Sequence, residues 1–276
     1  MKIKEANIYI VETGSFRPVI AELITDDGII GIGEGSVGFG IGCKGAASMA
    51  IDLAENFIVG KDPFNIQKIW NDFYYNTFWG KGGGPIFYAA CSALEIALWD
   101  IKGKALGVPV YELLGGNQRD TIRVYANDWS DASEFEYPEE FAAKAVEVVA
   151  DGYDAIKLYP MSPYVPENVH DANYHIMNRY VDSAYEKRTV DVVKAVREAV
   201  GNDIDLMVDV TAEGTTDVMT RIGQRIEQYN PFWYEEPIDA FDIDDYKILK
   251  QKVNIPIATG ERMYTRYGFR SLIEQR

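Results

Sequence analysis

The 276 residues include 43 acidic and 27 basic side chains, giving a formal charge of -16 at pH 7, and 47% of them are hydrophobic. That is the composition of an ordinary globular protein, and a field of that sign repels nucleic-acid phosphates and anionic lipid. A small anionic molecule remains an acceptable partner, given a local cation. No window has the roughly 18 uncharged apolar residues of a membrane span. The opening MKIKEANIYI lacks a signal-peptide core and reads as a first strand. Cys43 and Cys91 are isolated, with no CxxC pair, which suits a reducing cytoplasm.

In chain order, Ile3–Val11, Val19–Thr25 and Ile29–Gly33 read as antiparallel strands, with Asp26-Asp27-Gly28 as a turn. Helical patterns follow over Ala46–Val59, Ile66–Tyr75 and Gly84–Leu106, the last closed by Gly107 and Pro109. Residues 1–118 therefore form an expected α+β domain. From Thr121 the pattern changes to short apolar strands alternating with helices. The strands are Ile122–Ala126, Ala155–Tyr159, Ile204–Val208, Phe232–Tyr234 and Ile255–Thr259; the helices are Glu139–Ala150, Lys187–Val200, Thr216–Tyr229, Asp242–Lys250 and Tyr267–Glu274. Five such units predict a parallel α/β sheet over residues 119–276, with a spacing that suits a (β/α)8 TIM barrel. Met161–Tyr185 breaks the rhythm with a long polar stretch where an active-site loop would leave the second barrel strand.

Three acids end successive strands: Asp209, Glu235 and Glu261. In a parallel barrel each repeat returns to the same rim, so the three should converge on the axial mouth. Carboxylates crowded there repel unless a hard cation binds them, and carboxylate oxygens with open positions opposite are what Mg2+ accepts. A single strand-end acid is more often a helix cap; three evenly spaced ones favour the metal. Lys157 and Tyr159 share a face of the second strand. A lysine aimed into a cation-bearing, partly desolvated mouth would have its pKa lowered toward the range of a general base. Taken alone, Lys157 is better read as a snorkelling surface lysine, and only the acid series favours the base.

Gly33-Glu34-Gly35-Ser36-Val37-Gly38 matches the G-x-G-x-x-G dinucleotide fingerprint. The strands before it are antiparallel, so the required βαβ context is missing. A mobile glycine loop over Gly33–Gly42, closing on a substrate, is the preferred reading. Lys81-Gly82-Gly83-Gly84 beside Trp79 is a second flap or a helix lead-in. His170 and His175, in the polar stretch, are more plainly solvated than catalytic.

Lys157, Asp209, Glu235-Glu236-Pro237 and Gly260-Glu261 together resemble the enolase superfamily, and within it the mandelate racemase and muconate lactonizing branch. Ala97-Leu98-Trp99-Asp100-Ile101-Lys102-Gly103 and Leu113-Leu114-Gly115-Gly116 extend the likeness to that family's N-terminal capping domain, so it covers nearly the whole chain. Acid-sugar dehydratases of galactonate type look nearest. The resemblance implies a lyase in which Asp209, Glu235 and Glu261 hold Mg2+ and the ion binds the carboxylate of a sugar acid. A base then removes the α-proton, and the ion stabilises the ene-diolate. Lys157 and Tyr159 are the implied catalytic residues; Thr211, Glu236 and Trp79 are the implied substrate contacts. The branch commonly forms symmetric homo-oligomers.

This chain departs from the family pattern in three places. The second lysine of the racemases' Lys-x-Lys is Tyr159, and the histidine that some dehydratases place two residues after the first metal acid is Thr211. That leaves Tyr159 or a residue of Met161–Tyr185 to supply a general acid. The family has eight strands and an Asp–His dyad on the sixth and seventh, whereas this sequence stops after the fifth, as a partial chain would. A racemase, epimerase or cycloisomerase of the same branch is the alternative within the enzyme class; a non-catalytic relative is the alternative outside it.

Overall fold

A computed structural model describes residues 1–13, 16–35, 37, 41–130, 135–161, 181–212 and 214–274. His170, His175, Gly38, Gly40 and most of the expected active-site loop lie outside the described residues. The chain forms two compact units, Met1–Thr121 and Ile122–Arg276.

In the first unit β1 (Ile3–Ile10), β2 (Val19–Thr25) and β3 (Ile30–Gly35) make an antiparallel meander. Val19, Ala21 and Leu23 of β2 are buried while the residues between them are partly exposed, the alternation of a sheet with one covered face. The cover consists of α1 (Cys43–Phe57) and α3 (Pro85–Leu106), with α2 (Ile66–Asn76) packed against both; a one-turn α4 (Val110–Leu113) follows. The longest of them, α3, starts on Pro85 and stops at Gly107, whose φ of 70° is left-handed and whose N–H bonds back into the last turn.

Gly31, Gly33 and Gly35 lie in β3 and face α3. A Cβ there would stand 2.2 Å from the Ala97 oxygen, 2.1 Å from the Ala93 oxygen and 2.5 Å from the Ala89 oxygen, respectively. These glycines let strand and helix backbones touch. That corrects the reading of a mobile loop from Gly33: the start of the stretch is a packed strand, and its glycines serve neither closure nor phosphate. The outer edge of β3 is also covered, because Asp100 accepts the Ile32 N–H at 2.9 Å and Lys104 donates to the Ile30 carbonyl at 2.7 Å.

In the second unit β4 (Ala155–Leu158), β5 (Asp205–Asp209), β6 (Trp233–Glu235) and β7 (Ile257–Ala258) form a parallel sheet in sequence order. The helices α5 (Pro138–Ala150), α6 (Ser183–Val200), α7 (Thr216–Ile226), α8 (Ile243–Lys252) and α9 (Thr265–Glu274) alternate with the strands from the first helix on. Residues of β4–β6 and α5–α8 share one hydrophobic core that includes Phe141, Ile156, Val193, Val208, Ile222, Tyr234 and Leu249.

The expected strand Ile122–Ala126 is reduced to one parallel bridge, Ala126 to Ile156. Ile122 and Val124 are 75% and 61% exposed, so their side chains gain too little burial to hold a longer ladder. Arg123 instead clasps the amino end of the sheet, pairing with Asp154 at 3.0 Å and Asp205 at 2.6 Å. No helix among the described residues is long and apolar enough to cross a membrane.

Candidate active site

Strand register sets the site. Asp209 and Glu235 are aligned partners at the carboxyl ends of β5 and β6, and Lys157 lies two residues back, opposite Met207. A lysine stem spans that step, which brings Nζ to 3.0 Å from Asp209 Oδ2 and 3.1 Å from Glu235 Oε1. Glu261 follows β7 in the next loop and has an exposed side chain. Among the described residues no three acids, histidines or cysteines are grouped as a metal-holding set.

Electrostatics nevertheless links the three acids. Burial, followed by the charge on Glu235, raises the Asp209 carboxyl above the ordinary range, while Lys157 and the Thr211 N–H work against the rise. Glu261 is raised by desolvation, then by Asp209 and Glu236, with a smaller push from Glu235. Burial alone would lower Lys157, but its ion pairs and hydrogen bonds with Asp209 and Glu235 outweigh that and raise it. The sign is opposite to the expectation. Lowering the lysine requires another cation on these acids; paired with the lysine, they hold its proton.

The backbone turns sharply just past the strand ends. Thr211, Ala212 and Glu236 all have left-handed φ, at 41°, 58° and 44°. Such residues persist only where their surroundings fix them. Here the Ala212 N–H donates to the Glu236 carbonyl at 2.6 Å, and the Glu236 N–H to Ala258 at 2.8 Å. Thr211 also meets the Tyr159 hydroxyl at 3.1 Å. Tyr159 and Thr211 thus come together beside the Lys157–Asp209 pair.

Glu236 does not join them. Its side chain is fully buried and accepts from Thr259 Oγ1 at 2.9 Å, Gly260 N at 2.6 Å and Arg262 at 2.8 Å. Both of its oxygens are engaged by protein donors. Glu236 is instead an internal strut that ties the turn after β6 to the loop carrying Glu261. Trp79 belongs to the first unit, where it is 80% exposed beside the left-handed Phe78.

Sequence reasoning overlooked three neighbours of the site. Trp233 donates its indole N–H to Glu235 Oε2 at 2.8 Å, the Tyr125 ring faces Lys157 Nζ at 5.9 Å, and Arg262 pairs with Glu236. The first was open to discovery, since Trp233 and Glu235 are two residues apart on one strand and so share a face. The other two depend on contacts between distant segments.

A parallel sheet with an Asp, a Glu and a Lys converging at its carboxyl end, following an α+β unit in the chain, defines a class, and the comparisons agree. Residues 7–115 match the mandelate racemase / muconate lactonizing enzyme N-terminal domain, and residues 140–276 match the enolase C-terminal domain-like family. The chain belongs to the mandelate racemase/muconate lactonizing enzyme branch of the enolase superfamily.

Among curated relatives, the D-galactonate dehydratase of Pectobacterium atrosepticum is 34% identical over 93% of this chain and 61% of its own length. The D-xylonate dehydratase of Haloferax volcanii is 33% identical over 99% of this chain and 64% of its own. The chain thus spans less than two thirds of these relatives. Among solved structures, an enolase superfamily member from Salmonella Typhimurium superposes with a TM-score of 0.90 at 37% identity, covering 99% of this chain and 71% of that one. A mandelate racemase/muconate lactonizing enzyme from a Sulfitobacter species gives 0.85 at 30% identity, covering 100% and 69%.

Proposed function

We propose that this chain carries the acid cluster and proton-transfer lysine of a Mg2+-dependent sugar-acid dehydratase. The observation that carries the reading is the Lys157 ammonium set between Asp209 and Glu235. A cation already bridges two strand-end carboxylates there, in a chain related to acid-sugar dehydratases. The donor set fits a hard divalent ion, since Asp209, Glu235 and Glu261 offer only carboxylate oxygens, and beside burial the charge on Glu235 raises Asp209 while the charges on Asp209 and Glu235 raise Glu261. These three residues would hold it. Bound there, the ion supplies Lewis-acid stabilisation of the charge that develops on a substrate carboxylate.

Lys157 is the proton carrier of this reading. Paired with two carboxylates it is an ammonium, and it accepts a proton only after giving one up, a loss favoured when Asp209 and Glu235 are neutralised by another charge. In dehydration the α C–H bond breaks and its proton goes to Lys157. The β C–O bond breaks, the hydroxide leaves as water after protonation, and the enol relaxes to a 2-keto-3-deoxy acid. The Tyr159–Thr211 hydroxyl pair is placed to bind and orient a substrate hydroxyl, with Tyr159 the candidate proton donor.

The test is turnover by the intact protein with Mg2+ on a panel of aldonic acids that includes D-galactonate, D-xylonate and D-gluconate. The assay is 2-keto-3-deoxy acid formation, together with α-proton exchange in deuterated water. Elimination that is abolished by Lys157→Met supports the proposal. Exchange without elimination would make the protein an epimerase or racemase, and binding with neither would make it a non-catalytic relative. Tyr159→Phe with unchanged turnover would remove Tyr159 from the mechanism.

A further inference from the structure

The two oxygens of Glu235 have different partners. Oε1 takes Lys157 at 3.1 Å, and Oε2 takes the Trp233 indole N–H at 2.8 Å. The indole is held in turn: the Tyr125 ring meets it edge-on at 5.8 Å and 85°, and Phe232 packs at 5.4 Å. An indole N–H only donates, and a ring fixed on two sides cannot swing to another acceptor. Tyr125 also faces the Lys157 ammonium, so both partners of Glu235 rest on one aromatic side chain.

We infer that Trp233 is a positioning residue for Glu235. By holding Oε2, it leaves Oε1 as the oxygen that meets a cation and keeps the carboxylate from turning away when Lys157 withdraws. This rests on the reading of Glu235 as a metal ligand. Partners of this kind typically change metal affinity by about 10–100-fold when removed, because the ligand must then be ordered at the moment of binding.

The probe is Mn2+, whose free form is counted by electron paramagnetic resonance during titration of the intact protein. Trp233→Phe keeps an aromatic ring and removes the donor. A second variant places 3-benzothienylalanine at position 233, which keeps the bicyclic shape and replaces only the N–H by sulfur. The expected result is a Kd for Mn2+ raised about 10–100-fold in both variants, with the melting temperature of the second unchanged. A packing role alone would leave the benzothienyl variant with wild-type affinity, and that result overturns the inference while leaving the metal reading intact. Glu235→Gln binding Mn2+ as tightly as the wild type, or a wild type that binds none, overturns both.

Discussion

Glu236 and Glu235 are adjacent acids with opposite fates, because β6 ends at Glu235 and the left-handed turn at Glu236 buries the second side chain. Glu236→Gln should therefore act on stability: it strips the charge from a buried partner of Arg262. Breaking such a pair costs about 3–5 kcal/mol when both groups are buried. Arg262 is 41% exposed, so solvent replaces part of the loss and about 1–3 kcal/mol is expected, read from denaturant unfolding. Arg262→Ala should cost as much or more, since it leaves the buried carboxylate with the Thr259 and Gly260 donors but no counter-charge. Cys91 is a second residue with a testable state. Burial, followed by the charge on Glu95, pushes its thiol up to about 12. A raised thiol pKa favours the neutral folded form, so its contribution to stability is complete below about pH 9 and fades as pH rises toward 12. At pH 8 roughly one molecule in ten thousand carries the thiolate, so a disulfide reagent should leave Cys91 unmodified until the protein unfolds.

At the scale of elements, β3 and α3 are the most constrained pair in the first unit. Gly33→Ala would drive a Cβ to 2.1 Å from the Ala93 carbonyl oxygen. Both backbones must shift, and overpacking of this kind typically costs about 1–3 kcal/mol; a matching fall in the denaturation midpoint is the expected outcome. Lys104→Ala removes the donor that covers the Ile30 carbonyl and should raise the rate of light-scattering growth more than it lowers stability. Much of this scale was legible beforehand. Asp209 and Glu235 could be placed because parallel strands repeat at a fixed rim, and α3 because its apolar spacing ends at a glycine. Ile122–Ala126 was misleading because its alternation resembles that of a strand while its Ile and Val side chains point to solvent. The Gly33 stretch was misleading in a different way: the fingerprint records only that backbone must approach something, and here the something is a helix. Neither the charge state of Lys157 nor the burial of Glu236 can be read from a string, because both depend on which distant acids or cations share the space.

Over these 276 residues the charge of -16 sets the sign of long-range effects. Acidic self-repulsion is screened within about 8 Å at physiological salt, so the melting temperature should rise between about 10 mM and 150 mM sodium chloride. The same field opposes the approach of the anionic substrate proposed above. Its kcat/KM should therefore increase over that salt range, the reverse of the usual electrostatically steered enzyme. A rate that falls with salt would mean that the local field at the site is positive despite the total.

The glycine contacts between β3 and α3 work as a vernier. Two residues along a strand advance about 6.8 Å, and four along a helix advance about 6.0 Å. Gly31, Gly33 and Gly35 meet Ala97, Ala93 and Ala89, so the two scales run in opposite chain directions and drift apart by about 0.8 Å per step. After two steps the mismatch is about 1.6 Å, slightly more than the length of a C–C bond, and a further pair would no longer coincide. The stripe thus has a natural length, and it fixes the helix lengthwise: sliding α3 by one notch would put an Ala carbonyl where no glycine waits.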